Sequence, residues 1–296
     1  MTEHFLDRSV TQPFWDNSVE PRLVIDPGDV VVFDCPECGD QFTPDWTTED
    51  MLNADGSKFH ALIGSVYINS ARPGDVLEVE VLRLEHHNWG WTAFSPGFGL
   101  LDDDFRAEPY IHHWRIEGDD CHFGVNGIVV PYEPFCGVMG VAPAETGRFR
   151  TIPPHFGGGN MDTRDMGVGS TVWFPVFADG ALFSCGDCHA AQGHGEVCGT
   201  GIEAPITVTL RFNVRKDMSI REVQFRAPSP LTRTDNRGYH VTTAHGPDLW
   251  QNSQNALRYT LDWMVQEHGI TRGQAYALAS CASDLKITEI VDAPNW

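Results

Sequence analysis

Residues 72–84 read Arg72-Pro73-Gly74-Asp75-Val76-Leu77-Glu78-Val79-Glu80-Val81-Leu82-Arg83-Leu84. A Pro-Gly-Asp turn opens the stretch, and apolar and polar side chains then alternate along it. That period of two belongs to a strand with one face in a core and the other in water. The same arrangement occurs earlier, where Leu23-Val24-Ile25 leads through Asp26-Pro27-Gly28-Asp29 to Val30-Val31-Val32-Phe33. Two such turns, each followed by a strand, suggest related hairpin entries, although two copies do not make a repeat. Further β-type runs lie at 128–131, 170–177 and 206–214. The chain carries 29 Gly and 19 Pro, densest in its first two-thirds. Many short strands with turns between them predict a mainly β fold, a sandwich or barrel-like body.

Helical spacing begins only near residue 247. Pro247-Asp248-Leu249 opens a stretch through Ala256, Leu257, Tyr259, Leu261, Met264 and Val265 that Gly269 closes. A second helix is expected over 271–283 with Thr271 as its cap, then a final strand over 285–291. The expected organisation is a β-rich body over 1–205, carrying the active loops, with a smaller α+β part over 206–296 packed on it.

The chain has 296 residues and a formal charge of −21, from 20 Lys+Arg against 41 Asp+Glu. Residues 1–130 hold 7 basic and 24 acidic side chains, and 131–296 hold 13 and 17. Such an excess argues against nucleic acid, whose binding needs clustered Lys and Arg, and against anionic membrane. Hydrophobic residues make up 41% and charged ones 21%, so this is the composition of a folded chain. No run approaches the ~18 apolar residues of a membrane span, and the first residues have no signal-peptide pattern. A soluble, intracellular protein with free thiols is expected, despite eight cysteines.

The densest chemistry lies between Phe183 and Gly201, where Cys185, Asp187, Cys188, His189, His194, Glu196 and Cys198 are interleaved with Gly and Ala. Asp187 and His189 are two apart and share a face on an extended strand. Glu196 follows a Gly-x-Gly turn and would complete an open three-ligand site, the arrangement a catalytic zinc wants. The competing reading is a plain Asp–His hydrogen bond in a surface loop. A second segment, Gly157-Gly158-Gly159-Asn160-Met161-Asp162-Thr163-Arg164, offers backbone amides, an amide and a carboxylate. Gly158, Gly159 and Asn160 would stabilise an oxyanion while Asp162 acts as base or ligand. Alternatively an Asp162–Arg164 pair merely fixes the turn.

A third segment, Asp34-Cys35-Pro36-Glu37-Cys38, is acidic and carries a C-x-x-C, as does Cys185–Cys188. The ~150 residues between the two pairs exceed the spacing of a compact zinc ribbon. Trp89, Trp91, Phe94 and Phe98 either line a small apolar pocket or pack a core. A Gly-x-Ser-x-Gly elbow is absent.

Four stretches together resemble the acetamidase/formamidase family: WGWTAFSPGFGLL (89–101), VAPAETGRFRTIPPHFGGGNMDTRD (141–165), GSTVWFPVFADGALFSCGDCHAAQGHGEVCGTGIE (169–203) and QAYALASCASDLKITEIVDAPN (274–295). The resemblance implies a cytoplasmic hydrolase of short-chain amides, releasing ammonia from formamide or acetamide. It implies a jelly-roll-like β body with a smaller α+β part, a homo-oligomer and a bound divalent metal, for which the ligand types above suggest zinc, with calcium as the alternative. His194 stands where the family commonly has Asp, and the family's loop generally lacks Cys185 and Cys188. On this reading Asp187 and His189, helped by Asp34, Glu37 or His194, hold the ion. Either Glu196 is the acid–base group and Asp162 shares the metal or orients the amide, or Glu196 is a ligand and Asp162 the base; Trp91 and Phe98 shape the pocket. Two rivals stand beside it: a Cys nucleophile, Cys188 or Cys198, and a non-catalytic metal- or small-molecule-binding sandwich.

Overall fold

The alternating stretch forms the strand Val76–His86, eleven residues long, whose buried and less buried positions alternate. The fold is taken from a computed structural model, which describes residues 1–228, 240, 242, 244 and 246–287. Both Pro-Gly-Asp turns are real. Gly28 and Gly74 take φ of +96° and +94°, and Asp29 and Asp75 donate their N–H back to Asp26 and Arg72. Left-handed φ at the third position of such a turn is what glycine supplies without strain.

Val76–His86 lies in a six-stranded sheet ordered Glu3–Leu6, Val30–Cys35, Ile206–Arg215, Val76–His86, Thr171–Pro175 and Gln224–Arg226. A five-stranded sheet runs Gly158–Asn160, Phe135–Gly140, Phe183–His189, Ile63–Ile68 and Leu23–Ile25. Phe33, Phe174, Phe183 and Phe212, all buried, pack their rings 5.1–6.3 Å apart. Each such burial is worth ~2–3 kcal/mol of transfer free energy. These rings join strands of the six-stranded sheet to Phe183 of the five-stranded one. A four-stranded meander, Val129–Pro131, Asp120–His122, Tyr110–Glu117 and Trp89–Phe94, continues the β body.

The C-terminal end is helical, as the pattern predicts. Leu249–His268 is capped by Asp248 and closed by Gly269 in the left-handed region. Arg272–Ala282 starts at Thr271 with a reciprocal Thr271–Gln274 capping box. Its small residues, Ala275, Ala277 and Ala279, are buried, and the helix packs on Trp89–Phe94 and Tyr110–Glu117. The protein is thus mainly β with helices at its C-terminal end. Ile206–Arg215, the first element of the C-terminal part, is a central strand of the six-stranded sheet, so the two parts share one core. Of the strand expected over 285–291, residues 285–287 are irregular and the rest lie outside the described residues. Among the described residues no helix is long and apolar enough to cross a membrane.

Candidate active site

Phe183–His189 is buried at every position, so each polar group on it must find a partner inside the protein. Asp187 sits in the left-handed region at φ +50°, opposite Gly137 of the neighbouring strand. Gly137 is required there: a Cβ would stand 2.6 Å from Asp162 Oδ1 and 2.8 Å from the Asp187 carbonyl. Asp162 and Glu196 are left-handed too, at φ +44° and +42°. Non-Gly residues visit this region rarely, and strain of ~1 kcal/mol or more collects where function demands a particular side-chain direction.

These carboxylates converge on His189. Its Nε2 lies 3.2 Å from Glu203 Oε2, 3.8 Å from Asp187 Oδ1 and 3.9 Å from Asp162 Oδ1. His60 Nε2 approaches Asp187 from the other side at 3.8 Å. Two sets of three donors each gather within 4.8 Å, Cys38–Asp187–Glu203 and Asp162–His189–Glu196. Gln192 fixes the imidazole: its Nε2 donates to the Asp162 carbonyl at 2.9 Å, so its Oε1 faces His189 Nδ1 at 2.6 Å as an acceptor. Nδ1 therefore carries the hydrogen, and Nε2 points its lone pair, or a second proton, at three carboxylate oxygens.

Four carboxylates so close cannot all ionise cheaply. Burial, aided by the Asp187 charge, pushes Asp162 up to about 7 and Glu203 up to about 8. Burial also raises Glu196 well above the ordinary range, with the nearby Asp162 adding to it. Asp187 goes the other way: burial opposes its charge, but His60 and His189 outweigh it and hold the carboxyl low. Burial likewise opposes charge on His189, yet the Glu203 and Asp187 charges raise its pKa well above the ordinary imidazole value, and a cation held by the same carboxylates would take the place of that proton. Asp162 Oδ1 and Glu203 Oε2 remain buried acceptors without a hydrogen bond. Orphaned acceptors around one imidazole nitrogen, in a hard-oxygen and nitrogen donor set, fit a divalent cation.

The site opens into a cavity of about 330 Å³, whose lining includes Asp162, Asp187, Glu196, Glu203, Asn160, Trp91 and Phe98. The helix Arg272–Ala282 pins the loop that carries Glu196. Ser280 Oγ accepts from Cys198 N–H and donates to the Thr200 carbonyl, while Tyr276 Oη donates to the Val197 carbonyl.

The sequence profile of the Acetamidase/Formamidase family matches residues 6–148 and 144–296, nearly the whole chain. The chain belongs to this family. A candidate formamidase of Schizosaccharomyces pombe is 28% identical over 95% of this chain and 86% of its own length. The formamidase of Methylophilus methylotrophus is 26% identical over 95% and 85%. Among solved structures, an acetamidase from Bacillus halodurans superposes with TM-score 0.70 at 29% identity, covering 93% of this chain and 89% of that one. A γ-lactamase from Delftia acidovorans, 24% identical, shares the fold at TM-score 0.89 over 99% and 90%.

Within this family member the residues singled out from sequence divide. Asp162, Asp187, His189 and Glu196 come together, and Asn160, Trp91 and Phe98 line the same cavity. Asp34 does not join them: Arg8 grips it with two hydrogen bonds, and the guanidinium keeps its carboxyl low. Glu37 is consumed as well, accepting from the N–H groups of Gly39, Gln41 and Phe42 and from Trp91 Nε1. It organises a turn and orients Trp91. His194 points elsewhere, its N–H on Asp284 and its ring 3.7 Å from Asp165. Gly158 and Gly159 are absent from the lining, and the Gly158 N–H is spent on the His155 carbonyl. Gly158 therefore has no free N–H to offer an oxyanion. Arg164 pairs with buried Asp284 at 3.2 Å, which leaves Asp162 to the cluster.

Four residues were missed. Glu203, His60, Cys38 and Gln192 reach the site from separate places in the chain. Glu203 carried a weak signal, closing the Gly199-Thr200-Gly201 turn, and it bridges backbone to both Trp91 and His189. The two C-x-x-C pairs part company. Cys35 meets Cys185 and Cys188 in the core, where Cys188 lies 3.7 Å from Cys136, while Cys38 faces the cavity.

Proposed function

We propose that this member of the family is an amidase that hydrolyses the C–N bond of linear amides to carboxylate and ammonia with a divalent ion bound at His189. Family membership and its formamidase and acetamidase relatives support amide hydrolysis. The observation that carries the metal part is His189 Nε2 ringed by three carboxylate oxygens, two of them orphaned. Asp187, His189 and Glu203 would hold the ion, with Asp162 completing the set. Bound there, a divalent cation lowers the pKa of a coordinated water and polarises the amide carbonyl.

The chain's own residues do the rest. Gln192 and the surrounding carboxylates keep the His189 ring in one orientation. Glu196, at the cavity wall, takes a proton from water and returns it to the departing nitrogen; burial, with the nearby Asp162 charge, raises its carboxyl and so favours uptake of that proton. The Asn160 side chain donates to the Ile152 carbonyl and lines the cavity beside the amide. Trp91, braced on Glu37 and stacked on Phe42 at 4.0 Å, forms part of the cavity wall.

A Cys nucleophile is disfavoured. Cys188 sits in the core, and Cys198, though it lines the cavity, has its thiol pushed by burial to about 11. The non-catalytic reading predicts binding without turnover.

Removal of bound metal with a chelator should abolish ammonia release from amides, and divalent zinc should restore it. Glu196→Gln should lower kcat by ~10²–10⁴ without lowering Tm. Activity that survives metal removal overturns the metal reading, and wild-type turnover by Glu196→Gln overturns the acid–base role. Zinc as the ion, a homo-oligomer, a cytoplasmic setting and the division at 205/206 belong to the same proposal. Metal analysis, light scattering, fractionation and limited proteolysis test them.

A further inference from the structure

The cavity is far larger and more apolar than the smallest amides require. Its volume of about 330 Å³ falls in the range of sites for small organic ligands, roughly 300–1,000 Å³. Formamide has three non-hydrogen atoms and acetamide four. Away from the carboxylates the walls are Phe42, Met51, Phe59, Trp91, Phe98 and Ile152. Phe42 stacks on Trp91 at 9° between planes and lies 6.1 Å from Phe59, so the aromatic wall is one braced unit. The excursion from Cys38 to Phe59, with its own capped helix Thr48–Leu52, supplies much of that wall. No Lys or Arg is among the described residues lining the cavity.

We propose that the preferred substrate is an amide with an uncharged, apolar acyl body, aryl or medium-chain alkyl, rather than formamide or acetamide. This rests on the amidase reading above and specifies what that site takes. The carboxamide would lie against the Asp–His–Glu cluster while the acyl body covers the aromatic wall. Each methylene moved from water onto such a wall is worth roughly fourfold in an equilibrium constant. Substrate carboxylates are disfavoured by the site's own carboxylates, and no Lys or Arg among the described lining residues stands on the apolar walls to pair with them.

The test measures ammonia release and kcat/KM for formamide, acetamide, hexanamide, benzamide, and two charged analogues, 4-carbamoylbutanoate and 6-aminohexanamide, with metal-loaded enzyme. Hexanamide should exceed acetamide by on the order of 100-fold, for four methylenes, and benzamide should also exceed acetamide. Each charged analogue should fall at least tenfold below hexanamide. Ala54 lines the cavity beside that aromatic cluster, and Ala54→Trp, which narrows it, should cut the hexanamide-to-acetamide ratio at least tenfold. Formamide or acetamide turned over as well as hexanamide, or a charged analogue preferred, overturns this inference and leaves the amidase reading standing. Ammonia from none of the panel overturns both.

Discussion

Gln192→Ala removes two hydrogen bonds at the centre of the site. The side chain is 3% exposed and His189 1%, so water cannot readily replace what is lost. Oε1 accepts from His189 Nδ1 at 2.6 Å, and Nε2 donates to the Asp162 carbonyl at 2.9 Å. A buried N–H left without an acceptor costs ~1–3 kcal/mol. The imidazole would also be free to rotate or change tautomer, turning its hydrogen towards Glu203 and its lone pair away from the three carboxylates. Losing the outer partner of such a histidine typically costs 10–100-fold in metal affinity or activity, or ~1.4–2.7 kcal/mol. The expected outcome is a 10–100-fold fall in kcat/KM, weaker metal retention and a loss of ~1–3 kcal/mol in chemical denaturation. Gln192→Glu keeps the acceptor and should recover part of the metal retention. Steady-state kinetics, metal titration and urea melts check these values. Wild-type kcat/KM and metal affinity in Gln192→Ala would refute the positioning argument, whatever happens to stability.

Other perturbations separate the site from its scaffold. Gly137→Ala places a methyl 2.6 Å from Asp162 Oδ1 and 3.0 Å from Asp187 Oδ2. It should cost ~1–3 kcal/mol in a urea melt and at least tenfold in kcat/KM, roughly the activity equivalent of 1.4 kcal/mol. Cys188→Ser should keep near wild-type kcat, since its thiol lies among core cysteines; a dead but folded variant would revive the nucleophile reading. Asp104 bonds Arg258 at 2.6 Å and Arg272 at 3.1 Å, tying both C-terminal helices to the segment 102–105. Arg258 chiefly, with Arg272, holds its pKa below the ordinary carboxylate value. That contribution is complete above the unfolded value of ~4 and is lost as pH falls through the lower folded one. Asp104→Asn should therefore destabilise by ~0.5–1 kcal/mol at pH 7, with the difference from wild type closing in acid melts.

Local pattern carried much of the fold. The alternation over 76–84, the Pro-Gly-Asp turns and the Thr271 cap each depend on residues within a few positions, and each forms as read. Phe183–His189 is harder to recognise, because a strand buried on both faces does not alternate and its Gly186, with the glycines that follow the strand, reads as a loop. Charge gave little guidance to the site. Asp34 and Glu37 sit in the acidic half, but Arg8 and a row of backbone N–H groups claim them.

Sequence pattern alone established the β class, the C-terminal helices and four groups of the candidate site: Asp162, Asp187, His189 and Glu196. Those four stand among glycines within two short segments, close enough in sequence to be seen together. Only the tertiary structure decided that Glu203, Cys38, His60 and Gln192 join them and that His194 does not. The reason is physical: convergence is set by long-range strand pairing and by the left-handed turns at Asp162, Asp187 and Glu196, which aim side chains across the sheet. The size of the cavity was decided at the same level, since an aromatic residue walls a pocket or fills a core according to what packs behind it.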